Sequence, residues 1–136
     1  MEITITSALP GEEDLYELYQ VLGWNQFLKL DSTTLMRAMS ESYYSVYTYS
    51  GEILVATGRV ISDSITNAYI SGVGVHNDYR HQGIATRIIE QLVDHCRKAN
   101  LHIQLFCEED MIHFYEKLGF SKFALGMKSV EEKPID

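Results

Sequence analysis

The sequence predicts an α/β fold built on a mixed sheet, and two observations lead to that prediction. The first is a run of three segments, rich in β-branched and aromatic residues and separated by turn signals, at 43–49, 53–61 and 68–75. Such a run favours an antiparallel meander. The second is a long helical pattern followed by a short apolar strand at 103–106. Because a strand–helix–strand step within one sheet normally makes a parallel crossover, we expect 68–75 and 103–106 to be parallel neighbours.

The first forty residues predict one strand and two helices. Residues 3–6 alternate apolar and polar side chains, which is typical of a strand. Three acidic residues at 12–14 stand where a helix N-terminus favours negative charge, and Gly23 suits the left-handed residue that ends that helix. A second, short helix begins at Asp31 or Ser32, either of which can cap its N-terminus.

The C-terminal half predicts two more helices and two more strands. Apolar residues recur at helical spacing over 84–96, and Asn100 suits the end of that helix. A shorter helix covers 111–118 and ends at Gly119. Two short final strands are also expected, at 120–123 and 125–130.

Length and composition indicate one soluble domain spanning residues 1–136. Hydrophobic residues make up 46% and charged residues 22%, which is usual for a globular protein. The N-terminus lacks the basic and apolar regions of a signal peptide, and no apolar run approaches the roughly 18 residues of a membrane span. Cys96 and Cys107 form no C-x-x-C pair, so a reducing compartment fits better than a disulfide framework. We therefore expect a cytoplasmic protein without a membrane partner.

The net charge of −8 makes nucleic acid an unexpected partner, because the chain as a whole repels a phosphate backbone. Residues 1–67 carry three basic and nine acidic side chains, whereas residues 68–136 carry eight and ten. This distribution favours an anionic cofactor in the second half and a cationic acceptor in the first. A solubilising acidic surface explains it equally well.

The most informative segment runs from the end of a strand through a polar turn into the helix that begins at Ile84. The first N–H groups of a helix lack internal partners, and with the helix dipole they form an anion site. Gly83 lets a phosphate oxygen approach the backbone closely, and Arg80 adds positive charge. Neither G-x-G-x-x-G nor a P-loop occurs here. The predicted cofactor-binding residues are Val73, Gly74, Val75, Arg80, His81, Gln82, Gly83, Ile84, Ala85 and Thr86.

Two motifs are similar to those of the GNAT-type N-acetyltransferase superfamily. The turn Arg80-His81-Gln82-Gly83-Ile84-Ala85 resembles its acetyl-CoA fingerprint, Q/R-x-x-G-x-G/A. The stretch Phe114-Tyr115-Glu116-Lys117-Leu118-Gly119-Phe120 resembles its F-Y-x-x-x-G-F signature. The motifs occur in the order and at about the separation found in the family, and the order of elements is similar along nearly the whole chain.

The resemblance implies a GNAT-like fold, with an antiparallel N-terminal meander and parallel central strands that splay apart. It implies acetyl-CoA as co-substrate, with its pantetheine arm beside residues 73–75, and acetyl transfer to a primary amine of a small molecule or peptide. Tyr115 would be catalytic, because a phenol beside the sulfur can protonate the leaving thiolate. Two alternatives stay open: a non-catalytic acyl-CoA-binding sensor or scaffold, and transfer of a different acyl group.

Two departures from the family pattern concern the general base and one cofactor contact. Where many relatives have a strand glutamate this chain has Tyr69, and no carboxylate occurs from residue 66 to 75. The base is therefore unassigned: a water chain through Ser71 or Tyr69 could serve, or the amine arrives neutral. Glu108 and Met111 align with an asparagine and an alanine of the family, and Glu108 cannot donate a hydrogen bond as asparagine would.

The first half is expected to shape the acceptor pocket around residues 22–25 and the strand that follows. Aromatic side chains could hold an amine by cation–π contact and carboxylates could attract it, although simple packing or a solvated charge explains each of them as well. The candidates are Trp24, Tyr43, Tyr44, Tyr47, Asp31, Glu41 and Glu52. The scattered histidines form no H-E-x-x-H pattern, so no metal is expected. The final strands could pair across a homodimer.

Overall fold

The computed structural model describes residues 2–130, and it contains a five-stranded mixed sheet in the order β1-β2-β3-β4-β5. The strands are β1 (Ile3–Thr6), β2 (Tyr44–Ser50), β3 (Ile53–Ser62), β4 (Asn67–Val75) and β5 (His102–Leu105). The helices are α1 (Glu12–Val21), α2 (Asn25–Leu28), α3 (Ser32–Ser40), α4 (Ile84–Lys98) and α5 (Ile112–Lys117). The predicted class, an α/β fold with a mixed sheet, is confirmed.

The antiparallel half of the sheet follows the predicted meander. Strands β1 to β4 pair antiparallel in succession. Gly51 has φ 62°, in the left-handed region that a tight hairpin turn requires, and joins β2 to β3. Asp31 caps α3 by accepting a hydrogen bond from the Thr34 N–H at 2.8 Å, as predicted. Gly23 and Asn100 have positive φ just beyond the ends of α1 and α4, where the sequence predicts helix stops.

The parallel half of the sheet is short and ends early. Strand β5 pairs with β4 only from Asn67↔His102 to Ile70↔Leu105, because β5 ends at Leu105. Residues 71–75 of β4 continue beyond that ladder without a β5 neighbour. The expected parallel pairing is confirmed, and the unpaired end of β4 agrees with the expected splay of the central strands.

The two faces of the sheet are covered by different helices. Helix α4 buries Ile88 and Leu92 against one face, and neither side chain is exposed. Helices α1 and α3 bury Leu15 and Leu35 against the other face, in one apolar cluster with Tyr47 of β2. Burial of these side chains supplies the main driving force for folding of this part of the chain.

The two predicted final strands are absent, and this expectation was wrong: residues 120–130 contain no strand in the structure. Apart from Phe120, which is partly buried, their large apolar side chains are exposed, Leu125 by 91% and Met127 by 95%. Two short strands that bury no apolar face are marginally stable at best, because pairing then fails to offset the entropy cost.

Contacts within the chain define two compact units, one up to Leu105 and one from Phe106 onward. The first unit contains the whole sheet and helices α1 to α4, and the second contains α5. A single functional domain over residues 1–136 remains a prediction.

Candidate active site

The N-terminus of α4 combines free backbone donors with the absence of negative charge. The first hydrogen bond of the helix joins the Arg87 N–H to the Gly83 carbonyl at 3.2 Å, so the N–H groups of Ile84, Ala85 and Thr86 precede it. No side chain caps this end, and its first turn has no acidic residue. Helix α1, in contrast, begins with three acidic residues. The N-terminus of α4 is therefore suited to an anion.

The turn before α4 leaves room for that anion. His81 and Gly83 have φ of 64° and 77°, and both residues are exposed. A Cβ added to Gly83 would meet no atom within 4 Å, so the space above its backbone is open. Arg80 is anchored by its Nε, which donates to the Val75 carbonyl at 3.1 Å. The remaining guanidinium donors of Arg80 are thereby held at the turn. These residues fit a phosphate-bearing group.

The unpaired end of β4 offers backbone donors next to this turn. The His76 N–H donates to the Val55 carbonyl of β3 at 2.7 Å. Since successive residues of a strand direct their backbone groups to opposite edges, Val75 faces away from β3, as its bond to Arg80 also indicates. Val73 faces the same way, toward the edge that β5 leaves unpaired. An extended ligand could pair with this edge as an added strand.

A β-bulge in β4 sets which side chains face which helices. Gly72 and Val73 lie opposite the single residue Gly58 of β3, and Gly72 has φ 60°. In the sequence, Gly72 and Gly74 interrupt an apolar strand, a pattern typical of such a bulge. The bulge directs Val73 toward α4, while a Cβ on Gly74 would lie 2.5 Å from the Trp24 ring. Trp24 thus lies directly over β4, where only glycine leaves space for it.

A group of polar side chains around the cation Arg59 lies beside the bulge, and the sequence analysis did not identify it. Arg59 of β3 is paired with Ser71 of β4, and its Nη1 donates to the Ser42 Oγ at 3.3 Å. A Cβ on Gly72 would lie 3.5 Å from the Tyr19 hydroxyl and 3.7 Å from the Arg59 Nε. Burial raises the pKa of Tyr19 above its ordinary value, and the nearby Arg59 charge opposes that rise. The sequence feature that could have identified Arg59 is that it is the single charged residue in an otherwise uncharged strand.

The signature around Tyr115 forms a well-defined helix end within the second unit. The Phe120 N–H donates to the Tyr115 carbonyl at 3.1 Å, and Gly119 has φ 94°. This is a Schellman ending, in which the Tyr115 and Phe120 rings meet edge-on with centroids 5.8 Å apart. Burial, and secondarily the Cys107 thiol, raise the pKa of Tyr115 above its ordinary value. Its phenol therefore keeps its proton at neutral pH.

The four aromatic residues considered as a cage divide into two groups on opposite faces of the sheet, Trp24 with Tyr47 and Tyr43 with Tyr44. Tyr47 is fully buried and donates to the Ser45 Oγ at 2.8 Å. Tyr44 stacks on His95 of α4 with ring centroids 3.7 Å apart, whereas Trp24 packs on the α1/α3 face. The alternating directions of strand side chains separate them.

Two of the predicted attracting carboxylates already have local partners. Asp31 caps α3, and Glu41 forms an exposed ion pair with Arg37 at 3.0 Å. Strands β2, β3 and β4 contain no carboxylate at all, so the general base stays unassigned.

Within residues 2–130 no three His, Cys, Asp or Glu side chains converge as metal ligands would. None of the helices in that range combines the length and apolarity that crossing a bilayer requires.

Comparison with known proteins identifies the family to which this chain belongs. A family model described as the acetyltransferase (GNAT) family matches residues 11–120. The chain belongs to the GNAT family. This membership confirms the resemblance drawn from the two motifs. The GNAT match includes the α4 turn, the β4 bulge and the Tyr115 helix end.

Three similar proteins illustrate the family relationship. Over 78 residues this GNAT chain is 40% identical to an uncharacterised N-acetyltransferase, ycf52, of Pyropia yezoensis, covering 57% of the chain and 45% of the relative. It is 27% identical over 141 residues to GCN5-related N-acetyltransferase 2, chloroplastic, of Arabidopsis thaliana, covering 88% and 55%. It thus spans about half the length of the curated relatives it matches. A solved GNAT-family acetyltransferase of Streptococcus pneumoniae TIGR4 has the same fold, with TM-score 0.80, 24% identity and coverage of 97% and 100%.

Proposed function

We propose that this chain transfers an acetyl group from acetyl-CoA to a primary amine of a small molecule or peptide. The observation that carries the proposal is the α4 N-terminus, where an uncapped helix end without acidic residues follows an open glycine turn. Such a site suits the pyrophosphate of the donor. Family membership supports the same donor and reaction.

The cofactor-binding residues divide into two groups. The turn residues Arg80, His81, Gln82 and Gly83 and the first helical residues Ile84, Ala85 and Thr86 would hold the phosphates. Val73, Gly74 and Val75 would pair with the extended arm along the unpaired end of β4. The N–H groups of Val73 and Val75, which face the unpaired edge, can also stabilise negative charge on the reacting carbonyl oxygen.

The reaction itself forms a C–N bond and breaks a C–S bond. Acetyl-CoA supplies the activated acetyl thioester. We propose that Tyr115 donates its phenolic proton to the departing sulfur and regains a proton from solvent. The proton released by the amine nitrogen passes to water, through Ser71 or Tyr69, since β2, β3 and β4 provide no carboxylate to accept it. Proximity of the two reactants supplies much of the remaining acceleration.

The first test is the melting temperature with and without acetyl-CoA, in wild type and in Gly83→Val. A ligand at 100 times its dissociation constant stabilises the protein by about 2.7 kcal/mol. We expect that stabilisation in wild type and its loss in Gly83→Val, because the new side chain obstructs the anion site. No shift in wild type would refute the proposal.

Gly23→Val is a matched control for the backbone strain of the variant. Gly23 and Gly83 share φ of 77°, and a Cβ at either position would meet no atom within 4 Å. Both substitutions therefore impose similar strain on the unliganded protein. Gly23→Val should keep the acetyl-CoA shift. Loss of the shift in both variants would mean that general destabilisation, and not the anion site, explains the result.

A non-catalytic acyl-CoA-binding module is the second candidate, favoured by the absence of a carboxylate in β2, β3 and β4. It predicts tight acetyl-CoA binding without turnover of any amine. Rates with a series of acyl-CoA donors would reveal a preference for another acyl group. For the compartment we propose the reducing cytoplasm, on the basis of two free cysteines; one relative is named chloroplastic, and cell fractionation would decide between them.

A further inference from the structure

Arg59 is unusual in its position. It is the only Asp, Glu, Lys or Arg residue in the five strands of the sheet. Its Nε atom is buried, and among residues 2–130 it has no hydrogen-bond partner. No carboxylate of the described residues forms an ion pair with it. The other two cations of residues 1–67, Lys29 and Arg37, are exposed.

The groups that face Arg59 are neutral and polar. Tyr19 of α1 lies on one side, and Ser42 accepts a hydrogen bond from Nη1 at 3.3 Å. Ser45 of β2 and Ser71 of β4 are its cross-strand neighbours on the same face of the sheet. Next to them the bulge residue Gly72 leaves the space between Tyr19 and the guanidinium free of its own side chain. The cluster offers hydrogen-bond donors but no counter-charge.

Keeping a guanidinium partly out of water without a negative partner costs stability. If position 59 had only a structural role, an apolar side chain there would avoid this cost. The cost is explained if a ligand supplies the missing charge, since the planar fork of arginine matches carboxylate and phosphate oxygens. We propose that Arg59 binds an anionic group, carboxylate or phosphate, of the acceptor. The inference rests on the proposed transferase function and narrows its acceptor to amines that also carry a negative charge.

The position of Arg59 opposite Ser71 of β4 also limits the size of the acceptor. The cluster faces Gly72, whereas Trp24 covers Gly74, two residues closer to the α4 turn. Two residues of extended strand span about 7 Å. Since Trp24 fills the space over Gly74, an acceptor anchored at Arg59 has about this length available along β4 and needs a short spacer between its anionic group and its amine. Short amino acids and aminoalkyl phosphates have that length.

The experiment measures kcat/KM for two matched pairs of acceptors with acetyl-CoA. One pair is 3-aminopropanoate and its amide, and the other is 2-aminoethyl phosphate and 2-aminoethanol. We expect wild type to prefer the acidic member of at least one pair by tenfold or more. Arg59→Gln should reduce that preference at least tenfold, with Arg59→Lys intermediate. Arg97→Gln, which removes an exposed charge from the last turn of α4, should retain it.

Which pair shows the preference identifies the anion as carboxylate or phosphate. Equal rates within both pairs in wild type would overturn the proposal while leaving the transferase function intact. If acetyl-CoA binds but no amine turns over, the transferase function fails instead. In that case the acidic amines themselves serve as ligands, and failure of both to raise the melting temperature of wild type would overturn the anion site.

A stability measurement separates ligand binding from a structural role. If Arg59 is kept for a ligand, Arg59→Met should melt at the same temperature as unliganded wild type or higher, because an uncompensated charge is removed. A lower melting temperature for Arg59→Met would mean that the arginine stabilises the fold through Ser42 or bound water, and would overturn the proposal.

Discussion

Two helix ends of this molecule have the same local structure. At the C-terminus of α1, Tyr19 in the last turn is followed by Gly23 and Trp24 just beyond the helix. At the C-terminus of α5, Tyr115 is followed at the same spacing by Gly119 and Phe120. In each, the N–H of the final aromatic residue donates to the tyrosine carbonyl at 3.1 Å, and the glycine has positive φ. The aromatic rings meet edge-on in both, with centroids 5.0 and 5.8 Å apart.

The two tyrosines nevertheless have different chemical surroundings. Tyr19 is 3% exposed, donates to the Met39 sulfur at 4.0 Å and lies beside Arg59. Tyr115 is partly buried within the second unit, and the Cys107 thiol contributes to the rise of its pKa. The same Schellman ending therefore supports a phenol next to a cation in one place and a phenol next to a thiol in the other. The local motif decides where the ring lies, and the residues packed around it decide its acidity.

The largest expected effect is on catalysis. Tyr115→Phe should lower kcat by about 10²–10⁴-fold, because a general acid contributes that much, while acetyl-CoA still raises the melting temperature. Tyr19→Phe is the matched control and should change kcat less than tenfold. Steady-state kinetics of both variants with one acceptor provide the test. A large loss of kcat in Tyr19→Phe, with Tyr115→Phe near wild type, would transfer the acid role to Tyr19.

A smaller effect is expected on stability at the two glycines. Gly23→Ala and Gly119→Ala place a Cβ where no atom lies within 4 Å, so the cost is that of the left-handed backbone alone. We expect each to lower the free energy of unfolding by about 1–2 kcal/mol, measured by urea denaturation. A much larger cost at Gly23 would mean that the glycine also protects the packing of Trp24.

The smallest effect is on the two tyrosine pKa values. Arg59→Met should raise the pKa of Tyr19 further, because the cation opposes the effect of burial. Cys107→Ser should lower the pKa of Tyr115 only in part, since burial is the larger cause of its rise. Titration of the ring-carbon NMR signals would show both changes. An unchanged pKa of Tyr19 in Arg59→Met would contradict the position of the guanidinium beside the Tyr19 hydroxyl.

The sign of the associated pH dependence follows from these shifts. Both tyrosines hold their protons more tightly in the folded chain than in the unfolded chain. Their contribution to stability is therefore complete below the ordinary tyrosine pKa of about 10 and is lost as pH rises through the folded values. Unfolding experiments at pH 8 and pH 11 should show a loss of stability at the higher pH.

Most of the regular structure was predictable because it depends on local pattern. Period-two alternation predicts β1, helical periodicity predicts α4, and the pair Asp31-Ser32 predicts the start of α3, where Asp31 proves to be the cap. The final strands were predicted wrongly at 120–123 and 125–130, since short apolar segments look like strands whether or not a partner covers them.

The candidate site was predictable only in part. The fingerprint at Arg80–Ala85 implies a glycine turn before a helix, and the structure has that turn with open space above Gly83. The aromatic cage failed, because composition does not reveal that Tyr44 and Trp24 lie on opposite faces of the sheet. Arg59 was missed because an isolated charge in a strand has no sequence motif.

The sequence by itself determined the helix ends, the turns and the family motifs. Each depends on residues within a few positions of one another, such as the φ that Gly119 permits or the cap that Asp31 provides. Only the tertiary structure decided which side chains share an environment. Strand pairing places Arg59 opposite Ser71, and helix packing brings Tyr19 beside them. Tyr19 and Arg59 are neighbours although forty residues separate them in the chain. The physical reason is that burial and charge act through space, where sequence distance does not apply.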